Sequence, residues 1–474
     1  MGDRITIEPV TRIEGHGIIT IDLDDEGGVR DARFQVTQFR GFEKLTEGRP
    51  FYEMPAITER ICGICPVSHA LASGRAGDAI LGVHPPETAV LLRRLCNCGA
   101  FIQSHALSFF YLSAPDLLLG MDADPARRNI VGLVAAHPDL VRDGIRLRQF
   151  GQQVIEMVGG RRIHPAWVVP GGVDAALSGE HREAIRRMLP EALAIITRTL
   201  ALFKQALGDF SAEIETFARF PSLYMGMVDG DGKLDHVQGR LRIIDATGGI
   251  VADAIDPVDY RQHIGEATEP WSYLKFPYYR PLGYPDGLYR VGPAARLNVC
   301  NGCGTPLADR EWAEFRSLER GPVSSSFHNH YARLIEILYG IETIGELVAQ
   351  PALTGARIRA LAQPNFPEGV GCVEAPRGTL IHHYRVDDNG LMTWANLIVA
   401  TGHNNLAMNR GVLQVAHRFI TAAEVPEGAL NRLEAVIRAF DPCLSCSTHA
   451  IGRMPLVVRL RRPDGSILRE ISRS

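Results

Sequence analysis

Apolar and polar residues alternate through GIITIDLDDEGGVRDARFQV, residues 17–36, and the alternation breaks once, at Asp24–Gly28. A period of two marks a half-buried strand, so this stretch predicts a hairpin. GTLIHHYRVDDNGLMTWANLIVAT, residues 378–401, predicts a second hairpin turning at Asp388–Gly390. Between them the pattern changes. PPETAVLLRRLCNCGAFIQSHALSFFYL (85–112) opens on two prolines and is apolar on most faces, which predicts a buried helix. Residues 179–219 read as a long helical region interrupted near Pro190. Helix resumes over NHYARLIEILYGIETIGELVAQ (329–350). Residues 220–306 are rich in Gly, Pro, Tyr and Asp and read as an irregular excursion. There is no internal repeat and no low-complexity linker, so both chain ends are expected in one body.

Composition adds bounds. A chain of 474 residues exceeds what one simple core serves, so several lobes around a large interior are expected. The hydrophobic share of 46% is that of a globular protein, and a net charge of −4 gives no reason to expect nucleic acid or an anionic membrane as partner. The N-terminus carries charges where a secretory signal needs an apolar core. No apolar run approaches the roughly 20 residues that span a bilayer. The expectation is a cytoplasmic protein without an integral membrane segment. Its nine cysteines are then reduced, which favours metal ligation or catalysis over disulfides.

Two cysteine pairs share one spacing: Cys62 and Cys65 in RICGICPVSHA, and Cys443 and Cys446 in DPCLSCSTHA. Four thiolates suit zinc, copper(I), iron–sulfur or nickel. Zinc ribbons join their pairs by roughly 15–20 residues. Here almost the whole chain intervenes, and spacing alone leaves a structural zinc knot and a catalytic metal equally open. The polar neighbours His69, Asp441 and His449 favour the catalytic metal, because such a centre needs donors around its ligands.

At these residues the sequence resembles the large subunit of nickel–iron hydrogenases. The resemblance runs through TRIEGHG (11–17), RGFEKLTEGRP (40–50), RICGICPVSHALAS (60–73), IHPAWVVPGGV (163–173), EAPRG (374–378) and DPCLSCSTH (441–449), in family order. CPVSHALAS and NLIVATGHNN (396–405) look most like the cytoplasmic, NAD-coupled bidirectional group.

The resemblance implies an α+β, predominantly helical fold: a central helical bundle with peripheral mixed α/β parts. It implies reversible cleavage of H2, with Cys62, Cys65, Cys443 and Cys446 holding nickel. Cys65 and Cys446 would be shared with an iron that carries CO and cyanide. Glu14 and Cys443 are implied as proton carriers, Arg377 as the arginine over the metals, and Asp441 as its neighbour. Pro376, Thr401 and His69 are implied around the metal pair, and His105 further out. Ser104 stands where the family pattern has a second aspartate, which removes one carboxylate partner of Arg377. Glu43 and His449 match ligands of a separate magnesium or similar divalent ion.

The resemblance also implies that the body ends at His449. Residues 450–474, which read as a small hairpin about Pro463–Gly465, would be removed by a C-terminal endopeptidase after a maturation chaperone has acted. Cys300 and Cys303 form a third C-x-x-C outside the family pattern. With Cys96 and Cys98 they are expected as packing thiols, a small extra metal or redox site being the alternative. No G-x-G-x-x-G stands between a strand and a helix, so no dinucleotide fold is expected. Electrons would leave through an iron–sulfur small subunit to diaphorase subunits carrying flavin and NAD. A deazaflavin- or NADP-linked hydrogenase, an H2-sensing regulator, the quinone-reactive subunit of respiratory complex I and a structural zinc protein are the alternatives.

Overall fold

The alternating N-terminal stretch does pair as a hairpin, β2 (Ile18–Leu23) with β3 (Val29–Gln35), and β1 (Arg4–Ile7) adds a third antiparallel strand. The computed structural model describes residues 4–421, 425–448, 456–462 and 466–473. Four long helices follow: α1 (Pro66–Leu81), α2 (Glu87–Ala106), α3 (Pro138–Gly159) and α4 (Gly179–Ala206). Sixteen of the 20 residues of α2 are buried, as its continuous apolar pattern predicts. It crosses α3 closely because two glycines meet there. A Cβ on Gly151 would stand 2.6 Å from the carbonyl oxygen of Gly99.

The expected interruption near Pro190 is absent, and α4 runs unbroken through it. Pro190 and Arg186 are both exposed, so water can satisfy the carbonyl that the missing N–H leaves free.

The stretch 220–306 is also more regular than its composition suggests. It contains β4 (Leu223–Val228), β5 (Arg240–Ile244), β6 (Ile250–Ile255), β7 (Ile264–Thr268), β8 (Lys275–Tyr279) and β9 (Tyr289–Arg290). β9, β4, β5 and β6 form one sheet in that order, and β7 pairs with β8. These strands supply a separate apolar cluster that includes Met225, Met227, Leu241 and Ile243. The glycines and prolines punctuate short strands rather than replacing them.

Helix α5 (Asn329–Ala349) packs against α2 and α4 and completes the helical centre. β10 (Glu368–Ala375), β11 (Gly378–Val386) and β12 (Met392–Ile398) form an antiparallel sheet whose last two strands are the expected second hairpin. Helices α6 (Asn405–Phe419), α7 (Glu427–Phe440) and the single turn α8 (Leu444–Ser447) bring the chain back to its beginning. β13 (Leu456–Arg461) and β14 (Ile467–Arg473) pair antiparallel, as the expected terminal hairpin requires. Its turn, 463–465, lies outside the described residues. The mixture of a helical centre with small peripheral sheets is the expected α+β class. No helix among the described residues is long and apolar enough to cross a membrane.

Candidate metal centre

The two C-x-x-C pairs meet. The sulfurs of Cys62, Cys65, Cys443 and Cys446 all lie within 4.8 Å of one another. Cys62 Sγ is 3.3 Å from Cys443 Sγ, Cys65 Sγ is 3.4 Å from Cys446 Sγ, and the two C-terminal sulfurs are 2.8 Å apart. All four are buried and none forms a disulfide.

Local structure places Cys65 and Cys443. Cys65 is the N-cap of α1, whose N1 residue is Pro66, so the positive end of a 16-residue helix stands beside its sulfur. α7 ends at Asp441, which takes the left-handed conformation (φ 53°) that aspartate tolerates better than most residues. The reversal brings Cys443 alongside the N-terminal segment. There Glu14 and Cys443 form a parallel bridge, and Leu444 N donates to Glu14 O at 3.2 Å. Gly15 has φ +86°, and a Cβ on it would stand 2.7 Å from the Leu444 side chain, so only glycine allows this approach.

Hydrogen bonds from the C-terminal pair hold Cys62 and Cys65 below the ordinary thiol range, Cys65 at about 6. Burial pushes the Cys443 and Cys446 thiols up. Four converging sulfurs are a soft donor set that suits nickel with a second thiophilic metal.

Arg377 closes the site from above. Its Nε donates to the Asp441 carbonyl at 2.7 Å, its Nη2 to Asp441 Oδ1 at 3.2 Å and its Nη1 to Ser104 Oγ at 3.2 Å. The guanidinium is buried and is held protonated against the cost of burial by Asp441, Cys443, Cys65 and Cys62. Ser104 thus keeps a hydrogen bond to Arg377 but not the charge of an aspartate. Burial raises the Asp441 carboxyl, with Arg377 and Arg333 opposing.

A small enclosed space next to the sulfurs is lined by His69, Arg377 and Thr401, and by Cys65, Cys443 and Cys446. Thr401 Oγ1 accepts from Cys443 N at 2.8 Å. Pro376 precedes Arg377, and its carbonyl accepts from Arg296 Nη2 at 2.9 Å. A larger open cleft of about 870 Å³, bordered by Arg33, Trp271 and Leu413, contains none of these residues.

Glu14 binds the segment between the C-terminal cysteines: Ser445 N donates to Glu14 Oε2 at 3.0 Å and the Ser445 hydroxyl to Oε1. Sequence reasoning missed Ser445, although a hydroxyl inside a C-x-x-C was there to be noticed. It also missed Arg296. This fully buried arginine pairs with Glu336 and Glu374 and donates to the carbonyls of Ala375 and Pro376, so it fixes the turn that carries Arg377. No sequence pattern sets it apart from a surface arginine. His105 is not at the sulfurs. Its Nε2 meets Glu336 Oε2 at 2.8 Å, and burial lowers its pKa to about 4.

Glu43 stands apart from the sulfur set. Its Oε1 accepts from Lys275 Nζ at 3.0 Å and from Leu397 N at 2.7 Å, and Lys275 also reaches Asn396 Oδ1 at 2.6 Å and Glu266 Oε1 at 3.3 Å. His449 lies outside the described residues. Cys300 and Cys303 are buried away from any second pair, and no further metal-ligand group including them occurs among the described residues.

A sequence model described as "Nickel-dependent hydrogenase" matches residues 40–130 and 249–449, and one described as "HoxL-like" matches residues 4–39. The beta subunit of the NAD-reducing hydrogenase HoxS of Cupriavidus necator is 44% identical, over 100% of both chains. One subunit of the F420-non-reducing hydrogenase vhc of Methanococcus voltae is 40% identical over 98% of this chain and 99% of its own. Among solved structures, an NAD+-reducing [NiFe]-hydrogenase in the H2-reduced state superposes with a TM-score of 0.92 and 46% identity, over 94% of this chain and 99% of that one. The Ni-Fe-Se hydrogenase of D. vulgaris Hildenborough, at 24% identity and a TM-score of 0.78 over 95% of this chain and 100% of its own, shares the fold.

Proposed function

The chain belongs to the nickel-dependent hydrogenase family, and on that premise we propose that it is the catalytic subunit of an NAD-reducing hydrogenase. It cleaves H2 reversibly into protons and electrons. The observation that carries this reading is the closure of four buried sulfurs, drawn from both ends of the chain, to within 4.8 Å. Cys62, Cys65, Cys443 and Cys446 would hold nickel, and the sulfurs of Cys65 and Cys446 would also hold an iron carrying CO and cyanide. When bound, such a centre polarises H2 and takes up its electrons.

The protein's own groups manage charge and protons. The Arg377 fork, fixed by Asp441 and Ser104, keeps a cation beside the buried sulfurs, where charges are screened less than at the surface. Thr401 uses its oxygen as acceptor for Cys443 N, which leaves its own O–H free to donate into the cavity. Pro376, next to Arg377, fixes the backbone there without adding an N–H donor. A proton leaving Cys443 would pass to the half-buried Glu14, which is bridged to Cys443 through the backbone and is held in place by the Ser445 N–H and hydroxyl.

Electrons pass to an iron–sulfur small subunit, then on to diaphorase subunits that hold flavin and NAD, in the cytoplasm. Glu43 and His449 would take magnesium or a similar divalent ion. Two carboxylates, Glu43 and Glu266, around one ammonium leave a net negative charge that favours a cation there. The body would be 1–449, with 450–474 removed by a C-terminal endopeptidase after a maturation chaperone has acted. Intact mass of the active protein is expected to end at His449.

The deciding experiment is infrared spectroscopy with metal analysis of the purified complex. Bands of iron-bound CO and cyanide, with nickel and iron present and H2-dependent NAD reduction, are expected. Zinc alone and no such bands would reject the reading.

A further inference from the structure

One wall of the sulfur cavity is backed by a chain of polar groups to which the roles above assign nothing. His69 lines the cavity. Its Nδ1 lies 3.1 Å from His382 Nε2, and His382 Nδ1 lies 2.6 Å from Tyr384 Oη. His69 is 1% exposed, and His382 and Tyr384 are not exposed at all. His382 and Tyr384 are two apart on β11 and so share the face that packs on α1, whereas His383 points the other way, to Tyr260 and Glu368.

The approach of helix to sheet is built in. Gly371 pairs with His382 in the ladder, and a Cβ on it would stand 1.9 Å from the Ala72 carbonyl oxygen of α1. Gly369 makes the same allowance for Ala76. Two side-chain-free positions thus let the helix carrying His69 lie against the strand carrying His382.

From this geometry we infer that Tyr384 and His382 are positioning residues that fix the tautomer of His69, so that His69 presents its Nε2–H to the thiolate cavity. The proton order follows from what each atom can do. A phenol has one O–H, and a neutral imidazole has one donor and one acceptor. If Tyr384 donates to His382 Nδ1, His382 Nε2–H must donate to His69 Nδ1, which leaves a donor on the other nitrogen of His69. The opposite order would turn a bare nitrogen lone pair toward a cavity of anionic sulfurs, acceptor facing acceptor. Burial also raises the Tyr384 phenol above its ordinary range, so it stays a donor. An N–H beside a metal-bound thiolate withdraws electron density from the sulfur, the usual effect of a group surrounding metal ligands.

The inference rests on the hydrogenase reading, and its test separates the two. Infrared spectra would be recorded on the loaded, processed complex carrying Tyr384→Phe, His382→Leu or His382→Gln, with nickel and iron content measured alongside. Without a donor on Nδ1 the His69 N–H is no longer held on the cavity side, and any weakening of its hold on the sulfurs makes them stronger donors, so the CO band of His382→Leu, and in smaller degree that of Tyr384→Phe, is expected at lower wavenumber with metal content unchanged. His382→Gln keeps a side-chain N–H toward His69 and is expected to restore the wild-type position, and Tyr384→Phe added to it is expected to be silent. Unmoved bands in both His382→Leu and Tyr384→Phe, or a Gln variant shifted as far as Leu, would overturn the inference. Absence of the bands from the wild-type complex would instead remove the hydrogenase reading itself. Should His382→Leu load less metal, Tyr384→Phe decides alone, since it deletes one oxygen from a ring that otherwise packs unchanged.

Discussion

Cys443 and Cys446 share their spacing with Cys300 and Cys303, and all four are buried, yet the two pairs have opposite surroundings. The first faces another pair of sulfurs and a buried guanidinium. The second faces neither: Cys300 Sγ stands 3.8 Å from the Leu297 carbonyl, and Cys303 N donates to the Asp309 carboxylate. Burial pushes the Cys300 thiol up to about 12 and raises that of Cys303, with no second sulfur pair beside them among the described residues. A C-x-x-C is therefore a site only where the fold brings it a second ligand pair and a balancing charge.

The largest effect that tests this contrast is expected from Cys446→Ser. The hydroxyl is a poor soft ligand, so nickel content and H2-dependent dye reduction should both fall to background, measured by elemental analysis and by turnover. Retained nickel would remove the distinction between the pairs. Glu14→Gln comes next. It keeps the shape and the contact with Ser445 but cannot carry a proton, and general acid–base groups contribute about 10²–10⁴-fold. Turnover and H/D exchange should drop within that range, while nickel content stays at the wild-type level. Arg377→Lys keeps the charge but loses the fork that reaches both Asp441 and Ser104. A fall in turnover of about 10²-fold, with metals retained, is expected from loss of fixed electrostatic positioning. An undiminished rate would mean that charge alone suffices there.

How much of this could be read from the chain follows the same contrast. The four cysteines announce themselves by local spacing and each hairpin by its period of two, whereas EAPRG stands out only through its resemblance to the family pattern. The convergence of residues 62–65 with 443–446 does not, because it depends on α1 capping at Cys65, on Asp441 reversing the chain and on Gly15 admitting Leu444. Those are tertiary facts written in single residues. The sheet of β4, β5, β6 and β9 stayed hidden because its strands are short and its turns supply most of the Gly and Pro. Pro190 misled for the opposite reason: a strong local signal was overridden where solvent could satisfy the freed carbonyl. Likewise His382 and Tyr384 were visible as HHY, but only packing shows which of the two histidines faces His69.

The smallest expected effect is the most informative about the third pair. Cys300→Ala removes one buried sulfur whose contact at 3.8 Å with the Leu297 carbonyl is a weak hydrogen bond at best. Deleting one heavy atom from a packed interior costs about 1 kcal/mol, which thermal melting of the complex would register as a modest fall in the midpoint. Nickel, iron and turnover should match the wild type. The alternative role for this pair, a small metal or redox site, predicts something different: Cys300→Ala and Cys303→Ala would each lower the metal content or the yield of electrons delivered to NAD, and by the same amount. Two unequal, purely structural losses would leave Cys300 and Cys303 as core residues that happen to stand three apart.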